Sequence, residues 1–237
     1  MTRALILLHG TRMSQRQWRP YEELLPDLPL VTRDLPGHGE RAGEKFTREA
    51  ALATVDEAVA QAREVGEGAP VLAGHSLGGY LGAMWAAQHP HDLGALVLVG
   101  ASADPAGPLT GLYRGFARAL PHLDPERTAR WMNVLFGGLG TKGEHAELLP
   151  DGSAYAALPA AWQMVIDDCG PDLLQEVDCP VWLVNGQLDQ MRIHARRFAA
   201  AARDPHVVTV PRASHLMPAT HPEQVAAALR SAVAGAR

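Results

Sequence analysis

The chain has 237 residues, of which 47% are hydrophobic and 20% are charged, a composition typical of a globular protein rather than a disordered one. Its formal net charge of -5 argues against a nucleic-acid binder, which needs a basic face to neutralise phosphates, and against docking to anionic membranes. No apolar run reaches the roughly 18 residues of a membrane-spanning helix. The first apolar run lacks a signal-peptide cleavage site, and the two cysteines form neither a disulfide framework nor a metal spacing. We therefore expect a cytoplasmic protein with free thiols.

Short apolar runs alternate with amphipathic helical runs along the chain. Strands are predicted over Ala4–Leu8, Leu30–Thr32, Val71–Ala73, Ala95–Val99, Val181–Val184 and His206–Val210. Runs that are apolar on both faces are typical of parallel strands covered by helices on both sides. Helices are predicted over Thr47–Val65, Leu77–Gln88, Met191–Ala202 and Pro222–Val233. The alternation predicts one α/β domain over residues 1–237, with a mostly parallel, roughly six-stranded sheet flanked by helices.

Residues 102–178 interrupt this alternation. The stretch contains glycines, prolines and short helical pieces without a convincing strand, and both Trp131 and Trp162 lie in it. Long segments of this kind within a compact domain commonly form lids or binding elements. We therefore expect a helical cap over one end of the sheet.

A sharp strand-to-helix turn is predicted at Gly74–Gly79, where the sequence GHSLGG follows a strand and opens a helix. In the G-x-S-x-G pattern the turn strains the central residue, and the flanking glycines remove Cβ atoms that would clash. Ser76 is the central residue, so its hydroxyl is expected at the carboxyl edge of the sheet, beside a helix N-terminus that favours negative charge. The side chain of His75 is expected to point away from it. Ser76 is therefore the candidate nucleophile.

A serine hydroxyl is a poor nucleophile unless a base removes its proton, so a partner histidine is required. Asp189 follows the strand at Val181–Val184, and His215 follows the strand at His206–Val210. Because the carboxyl ends of parallel strands gather at one edge of a sheet, Ser76, Asp189 and His215 are expected to meet there. Their chemistry is that of a nucleophile, an orienting acid and a base.

Other residues compete for two of these roles. Asp104 follows the fourth strand and stays an alternative to Asp189 as the acid, and His221 is an alternative to His215 as the base. His9, at the end of the first strand, is expected to brace a loop instead.

Acyl transfer also needs hydrogen-bond donors aimed at the oxygen that becomes negative. The backbone N–H of Leu77, directly after the candidate nucleophile, is one expected donor, and the N–H of Thr11, after the first strand, is the second. The sequence has no H-E-x-x-H or P-loop signature, and the expected chemistry needs neither a metal nor an organic cofactor.

The order of these motifs along the chain resembles that of the α/β-hydrolase fold superfamily, and in particular that of its small serine esterases. The resemblance depends on Leu8–Gly10 with Trp18, on Asp34–Gly39, on Gly74–Gly79, on Cys179–Asp189, and on His215 with Pro222 downstream. It implies a Ser76–His215–Asp189 triad with backbone donors from Thr11 and Leu77. The haloalkane dehalogenases of this superfamily have an aspartate nucleophile, and Ser76 argues against membership in that group.

Three features depart from the family's pattern. The first strand begins near residue 4 without a leading hairpin, Ser214 stands where a glycine commonly precedes the base, and the acidic residue that often follows the base is replaced near Ala219. The short start is also similar to hydroxynitrile lyases, plant methylesterases and the lyase-type synthase of menaquinone biosynthesis. The resemblance therefore constrains the fold more closely than the reaction.

We expect a monomer or homodimer that acts on a small-molecule substrate. Three hypotheses for its function follow. The first is a carboxylesterase-like serine hydrolase that cleaves a carboxylic ester or thioester through an acyl-enzyme. The second is a lyase, cyclase or C–C bond hydrolase of the same fold that acts on a biosynthetic intermediate, and the third is a non-catalytic binding module. The candidate pocket walls are Met13, Trp18, Tyr80, Trp131, Trp162, Leu216 and Met217.

Overall fold

A computed structural model describes residues 2–105 and 156–237 of the chain, and its framework is a parallel β-sheet. The strands are β1 (Leu5–Leu8), β2 (Leu30–Arg33), β3 (Val71–His75), β4 (Ala95–Val99), β5 (Val181–Gly186) and β6 (Pro205–Val210). They lie in the order β2-β1-β3-β4-β5-β6, and every neighbouring pair is parallel. The predicted six-stranded parallel sheet is confirmed, with each strand end within two residues of its predicted position.

Helices lie between the strands and after β6 in sequence, and they cover the sheet. Those of the described residues are α1 (Pro20–Leu24), α2 (Arg48–Val65), α3 (Leu77–Gln88), α4 (Leu158–Asp168), α5 (Ala195–Ala201), α6 (Met217–Thr220) and α7 (Pro222–Ala234). Short 3₁₀ turns lie at Gln15–Trp18, Gly39–Arg41, Pro171–Glu176 and Gln190–Arg192. No helix in residues 2–105 or 156–237 is long and apolar enough to span a bilayer.

Helix α5 is shorter than the predicted helix over Met191–Ala202. The Asp189 side chain accepts a hydrogen bond from the Met191 N–H at 2.8 Å, and this bond starts a separate 3₁₀ turn at Gln190–Arg192. The regular helix begins only at Ala195. The other three predicted helices match within one residue at each end.

Both faces of the sheet are buried, so the molecule has two apolar layers. On one face, strand residues such as Leu72 and Leu96 pack with helices α2 and α3. On the other face, Leu7 and Val97 pack with helices α1 and α7. Helix α3 is apolar around most of its circumference, and ten of its twelve residues are buried, because it lies between the sheet and further helices.

Strand β6 differs from the expectation that the strands are covered on both faces. It lies at the edge of the sheet, and Pro205, Val207 and Thr209 are exposed along it. Because successive side chains of a strand point to opposite faces of the sheet, this pattern shows that one face of β6 lacks cover by helices. The carboxyl end of β6 is buried again at Val210, which places the following loop against the other strand ends.

The predicted helical cap over residues 102–178 is described only in part, because residues 106–155, which include Trp131, lie outside the described residues. The described part contains helix α4 and the 3₁₀ turn at Pro171–Glu176. Met164 and Leu174 from these two elements belong to the buried layer that contains α3. The carboxyl-terminal end of the segment therefore packs on the body of the domain.

Candidate active site

Ser76 lies at the sharp turn between β3 and α3. Its backbone has φ 51° and ψ -113°, a left-handed conformation that is strained for a residue with a side chain. Gly74 permits the turn because a Cβ there would overlap the backbone of Gly78 and Gly79. The Ser76 N–H donates to the Val99 carbonyl at 2.9 Å and holds the turn against the end of β4. The residue is half-buried at the start of α3.

Asp189 and His215 form a pair beyond the ends of β5 and β6. Nδ1 of His215 lies 3.1 Å from Oδ1 and 3.2 Å from Oδ2 of Asp189. The Asp189 side chain is fully buried, whereas that of His215 is 21% exposed. Burial alone would raise the pKa of Asp189, but the hydrogen bond and charge of His215, with the Met191 N–H, outweigh it and hold that pKa below its ordinary value. An ionised carboxylate therefore faces the imidazole.

Gly100 belongs to this site and was missed by the sequence analysis. It follows β4 with φ +58°, and a Cβ there would lie 2.9 Å from Asp189 Oδ2 and 3.1 Å from His215 Nδ1. The backbone approaches the pair so closely that a glycine is needed for both space and conformation. The available signal was a glycine directly after an apolar strand, at the edge where parallel strand ends gather.

A cavity of about 1390 Å³ has Ser76, Asp189 and His215 in its wall. Thr11 and Leu77, the expected backbone donors, line it as well. The Leu77 N–H belongs to the first turn of α3, where no preceding helical carbonyl accepts it. Ser76 and His215 make no hydrogen bond to each other within the described residues. In sites without substrate this hydrogen bond is often long and shortens only when substrate binds.

The predicted pocket residues occupy different positions. Three of them line the cavity, namely Tyr80, Trp162 and Leu216. Trp18 and Met217 are core residues rather than pocket walls, because they are buried in the layer between the sheet and helices α1 and α7. The Trp18 ring packs edge-on against Tyr21, with ring centroids 4.9 Å apart. Met13 is not among the residues that line this cavity, and Trp131 lies outside the described residues.

The cavity has an apolar wall beside its polar groups. Helix α4 lines it with Leu158, Val165 and Ile166, side chains that can bury an acyl chain. Within residues 2–105 and 156–237, no group of three or more His, Cys, Asp or Glu side chains is arranged to hold a metal ion.

The two competing residues hold other partners. Arg197 forms an ion pair with the Asp104 carboxylate, and the Asp104 N–H donates to His194 Nδ1 at 2.9 Å. His221 Nδ1 lies 2.9 Å from Thr220 Oγ1, and His221 is not among the residues that line the cavity. The carboxylate that faces the candidate base is therefore that of Asp189 and not that of Asp104.

Two buried histidines lie beside the site. The Leu35 N–H donates to His9 Nε2 at 3.0 Å, so His9 braces the loop after β2. The ring of His75 contacts Gln17 and the backbone carbonyl of His215, and His75 is not among the cavity-lining residues. Burial lowers the pKa of each ring to about 3, so both are neutral near neutral pH.

Comparison with known proteins finds relatives that catalyse more than one reaction. The pimeloyl-[acyl-carrier protein] methyl ester esterase of Aromatoleum aromaticum is 28% identical over an alignment 255 positions long, which covers 98% of this chain and 98% of that protein. Lipase LipV of Mycobacterium tuberculosis is 30% identical over 164 residues, which cover 62% of this chain and 59% of the lipase. The 2-succinyl-6-hydroxy-2,4-cyclohexadiene-1-carboxylate synthase of an Enterobacter species is 34% identical over 100 residues, which cover 40% of this chain and 36% of the synthase. The last two matches therefore span less than two thirds of those proteins.

The fold is also found in solved structures. A thermophilic esterase from Thermogutta terrifontis superposes with a TM-score of 0.76 at 23% identity, over 96% of this chain and 88% of the esterase. At that identity the likeness shows the fold alone. A profile of the Alpha/beta hydrolase family matches residues 5–228, nearly the whole chain. With the parallel sheet and the strand-to-helix serine turn in place, this match shows that the chain belongs to the alpha/beta hydrolase family.

Proposed function

We propose that the protein is a serine hydrolase that cleaves a carboxylic ester or thioester through an acyl-enzyme. The observation that carries the proposal is the Asp189–His215 pair, 3.1 Å apart, in the wall of the cavity that also contains the strained Ser76. The full-length match to an esterase supports ester hydrolysis over other reactions of the family. The apolar wall along α4 suits the acyl chain of such a substrate.

Acylation begins when Ser76 Oγ attacks the carbonyl carbon and His215 Nε2 takes the hydroxyl proton. The new C–O bond moves the carbonyl π electrons onto oxygen, and the N–H groups of Leu77 and Thr11 donate to this oxyanion. Asp189 orients the imidazole through Nδ1 and stabilises its cationic form without taking its proton. The tetrahedral intermediate then expels the alcohol or thiol, which gains the proton from His215.

Deacylation repeats these steps with water. His215, neutral again, takes a proton from a water molecule whose oxygen attacks the acyl carbon. The intermediate expels Ser76 Oγ, which regains its proton, and the carboxylic acid leaves. The cycle therefore returns Ser76 and His215 to their starting protonation states.

Substitution of the triad tests this function. The Ser76→Ala variant removes the nucleophile and is expected to lower kcat for p-nitrophenyl esters by about 10⁶-fold, as triad deletions do. A fluorophosphonate should label the parent protein at Ser76 and leave the variant unlabelled. Ester turnover by Ser76→Ala at the parental rate would contradict the proposal.

The acid is tested with a matched pair of variants in the same assay. Asp189→Asn is expected to lower kcat by about 10⁴-fold, because the amide no longer stabilises the cationic imidazole. Asp104→Asn is the control, since its carboxylate faces Arg197 and not His215. A greater loss in the Asp104 variant would reverse the assignment.

A second candidate function is proton abstraction followed by elimination, and the partial match to the synthase favours it. The same base would serve such a reaction, because the outcome depends on the pocket and on water access rather than on the triad. Strong fluorophosphonate labelling of Ser76 without turnover across a panel of esters and thioesters would favour elimination over hydrolysis.

A further inference from the structure

A chain of buried hydrogen bonds runs behind the candidate site, through a histidine that the mechanism above does not use. His75 Nε2 lies 2.9 Å from the backbone carbonyl of His215, and its Nδ1 lies 3.2 Å from the side-chain oxygen Oε1 of Gln17. The same oxygen lies 3.5 Å from the Gly10 N–H, in the loop that supplies Thr11. His75 and Gln17 are 2% and 1% exposed, so solvent does not compete for these contacts. His75 therefore links the loop of the base to Gln17, which lies beside the loop of the expected oxyanion donor.

The chemistry of the contacts determines which nitrogen of His75 carries the hydrogen. A backbone carbonyl only accepts, so Nε2 must be the donor to the His215 carbonyl. A neutral ring has one N–H, so Nδ1 carries a lone pair and requires a donor opposite it. The Gln17 amide nitrogen is buried and makes no hydrogen bond within residues 2–105 and 156–237. A half-turn of this amide places that nitrogen against Nδ1, at the loss of the long 3.5 Å contact from Gly10.

The ring remains neutral because of its surroundings. Burial, with a smaller contribution from the neighbouring His215, lowers the pKa of His75 to about 3, although the His215 carbonyl and Asp189 act in the opposite direction. Arg12 is the other charged group that acts on it, and it also disfavours a cation on His75. The two imidazole centroids are 4.8 Å apart, so a charge on His75 would repel the cation that His215 forms during catalysis.

We propose that His75 is a positioning residue whose neutral Nε2–H tautomer, set by the Gln17 amide, donates to the His215 carbonyl and so holds the base loop in register with Ser76. This role rests on the proposed function of His215 as the base. Its effect is on alignment, because an error of about 1 Å in the position of a catalytic group can cost about 100-fold in rate.

The kinetic test compares two substitutions of His75. His75→Leu removes the donor, and we expect kcat for a p-nitrophenyl ester to decrease between about tenfold and 100-fold, with a much smaller change in KM. His75→Gln keeps an amide N–H near the position of Nε2 and should recover most of the lost rate. His38→Leu is the control for the loss of a buried histidine, because His38 contacts the Pro36 carbonyl and not the base loop. It should lower Tm without lowering the kcat of the folded enzyme.

Fluorophosphonate labelling rates provide a second kinetic readout, since they report on the base and the serine but not on substrate binding. A His75→Leu variant that is folded and retains the parental kcat and labelling rate would overturn the proposal. So would equal losses of kcat in the Leu and Gln variants, because a structural role in packing does not depend on the N–H.

The tautomer is tested by long-range ¹H–¹⁵N spectra of the parent protein, with the His75 ring assigned by comparison with His75→Gln. We expect a neutral Nε2–H ring that does not titrate between about pH 5 and pH 8. An Nδ1–H tautomer, or titration in that range, would overturn the proposal even if the Leu variant failed to fold. This measurement does not require activity, so it is independent of the Ser76→Ala result that decides the proposed function.

Discussion

Gly100 determines how closely the backbone after β4 can approach the Asp189–His215 pair. Its positive φ disfavours any residue with a Cβ, and the place of that Cβ is taken by the two side chains that contact each other. Gly100 is therefore required both by its backbone conformation and by the space that the Asp189–His215 pair occupies. At Gly74 the requirement is one of space alone, because the backbone of α3 lies where a Cβ would be.

We expect Gly100→Ala to lower kcat by at least about tenfold, because the new methyl group displaces Asp189 or His215 by a fraction of an ångström. The strained backbone should also decrease the free energy of unfolding by about 1–2 kcal/mol. Gly43→Ala is the matched control, since nothing lies within 4 Å of a Cβ at that position. Steady-state kinetics with urea unfolding checks both effects, and parental kcat in the Gly100 variant would contradict the expectation.

At the scale of elements, α2 and α3 are joined on one face of the sheet, and α3 begins directly after Ser76. The Trp85 indole N–H of α3 donates to Asp56 of α2 at 2.7 Å. Thr47 caps helix α2, because its hydroxyl accepts from the Ala50 N–H at 3.1 Å. The cap satisfies one of the free N–H groups of the first turn, so α2 has a defined start from which it packs on α3.

We expect Thr47→Ala to decrease the free energy of unfolding by about 1 kcal/mol through loss of the cap. Since no residue of α2 lines the cavity, kcat should not change. Thr47→Ser keeps the hydroxyl and should remain close to the parent in urea unfolding. A change in kcat without a change in stability would show that α2 acts on the site in another way.

At the scale of the whole molecule, buried neutral histidines make stability depend on pH. The folded state holds the pKa of His9 and of His75 at about 3, below the ordinary value, because burial disfavours the charged form. The unfolded chain therefore binds more protons than the folded chain between about pH 3 and pH 6.5, and stability decreases as the pH falls through this window. Asp189 affects stability at lower pH. Its pKa is lowered in the folded state, and its stabilising contribution is lost as the pH falls through that lowered pKa.

We expect the free energy of unfolding of the parent to decrease by about 2 kcal/mol per buried histidine between about pH 7 and pH 5. His9→Gln removes one titrating ring while leaving an amide that can face the Leu35 N–H and the Gly10 carbonyl. Over this interval the free energy of unfolding of the variant should therefore decrease by about 2 kcal/mol less than that of the parent. Urea unfolding at both pH values checks this, and parallel pH dependences in parent and variant would contradict it.

Much of the framework was predictable from local sequence. The alternation of apolar runs and helical segments, the strand ends and the strand–Gly74–Gly79–helix motif depend on residues adjacent in the chain. The exposure of one face of β6 was not predictable in this way, because it depends on how far the helices extend over the edge of the assembled sheet.

The residue types and their order along the chain determined by themselves that a serine, an acid and a histidine follow three parallel strands. Only the tertiary structure decided that Asp189 faces His215 while Asp104 pairs with Arg197, because both aspartates follow strands that end at the same edge of the sheet. It also placed Trp18 in the core, and it brought Gly100 and Gln17 beside the histidines. These contacts join residues far apart in sequence, and no local pattern encodes the distance between two side chains that meet only when the sheet is assembled.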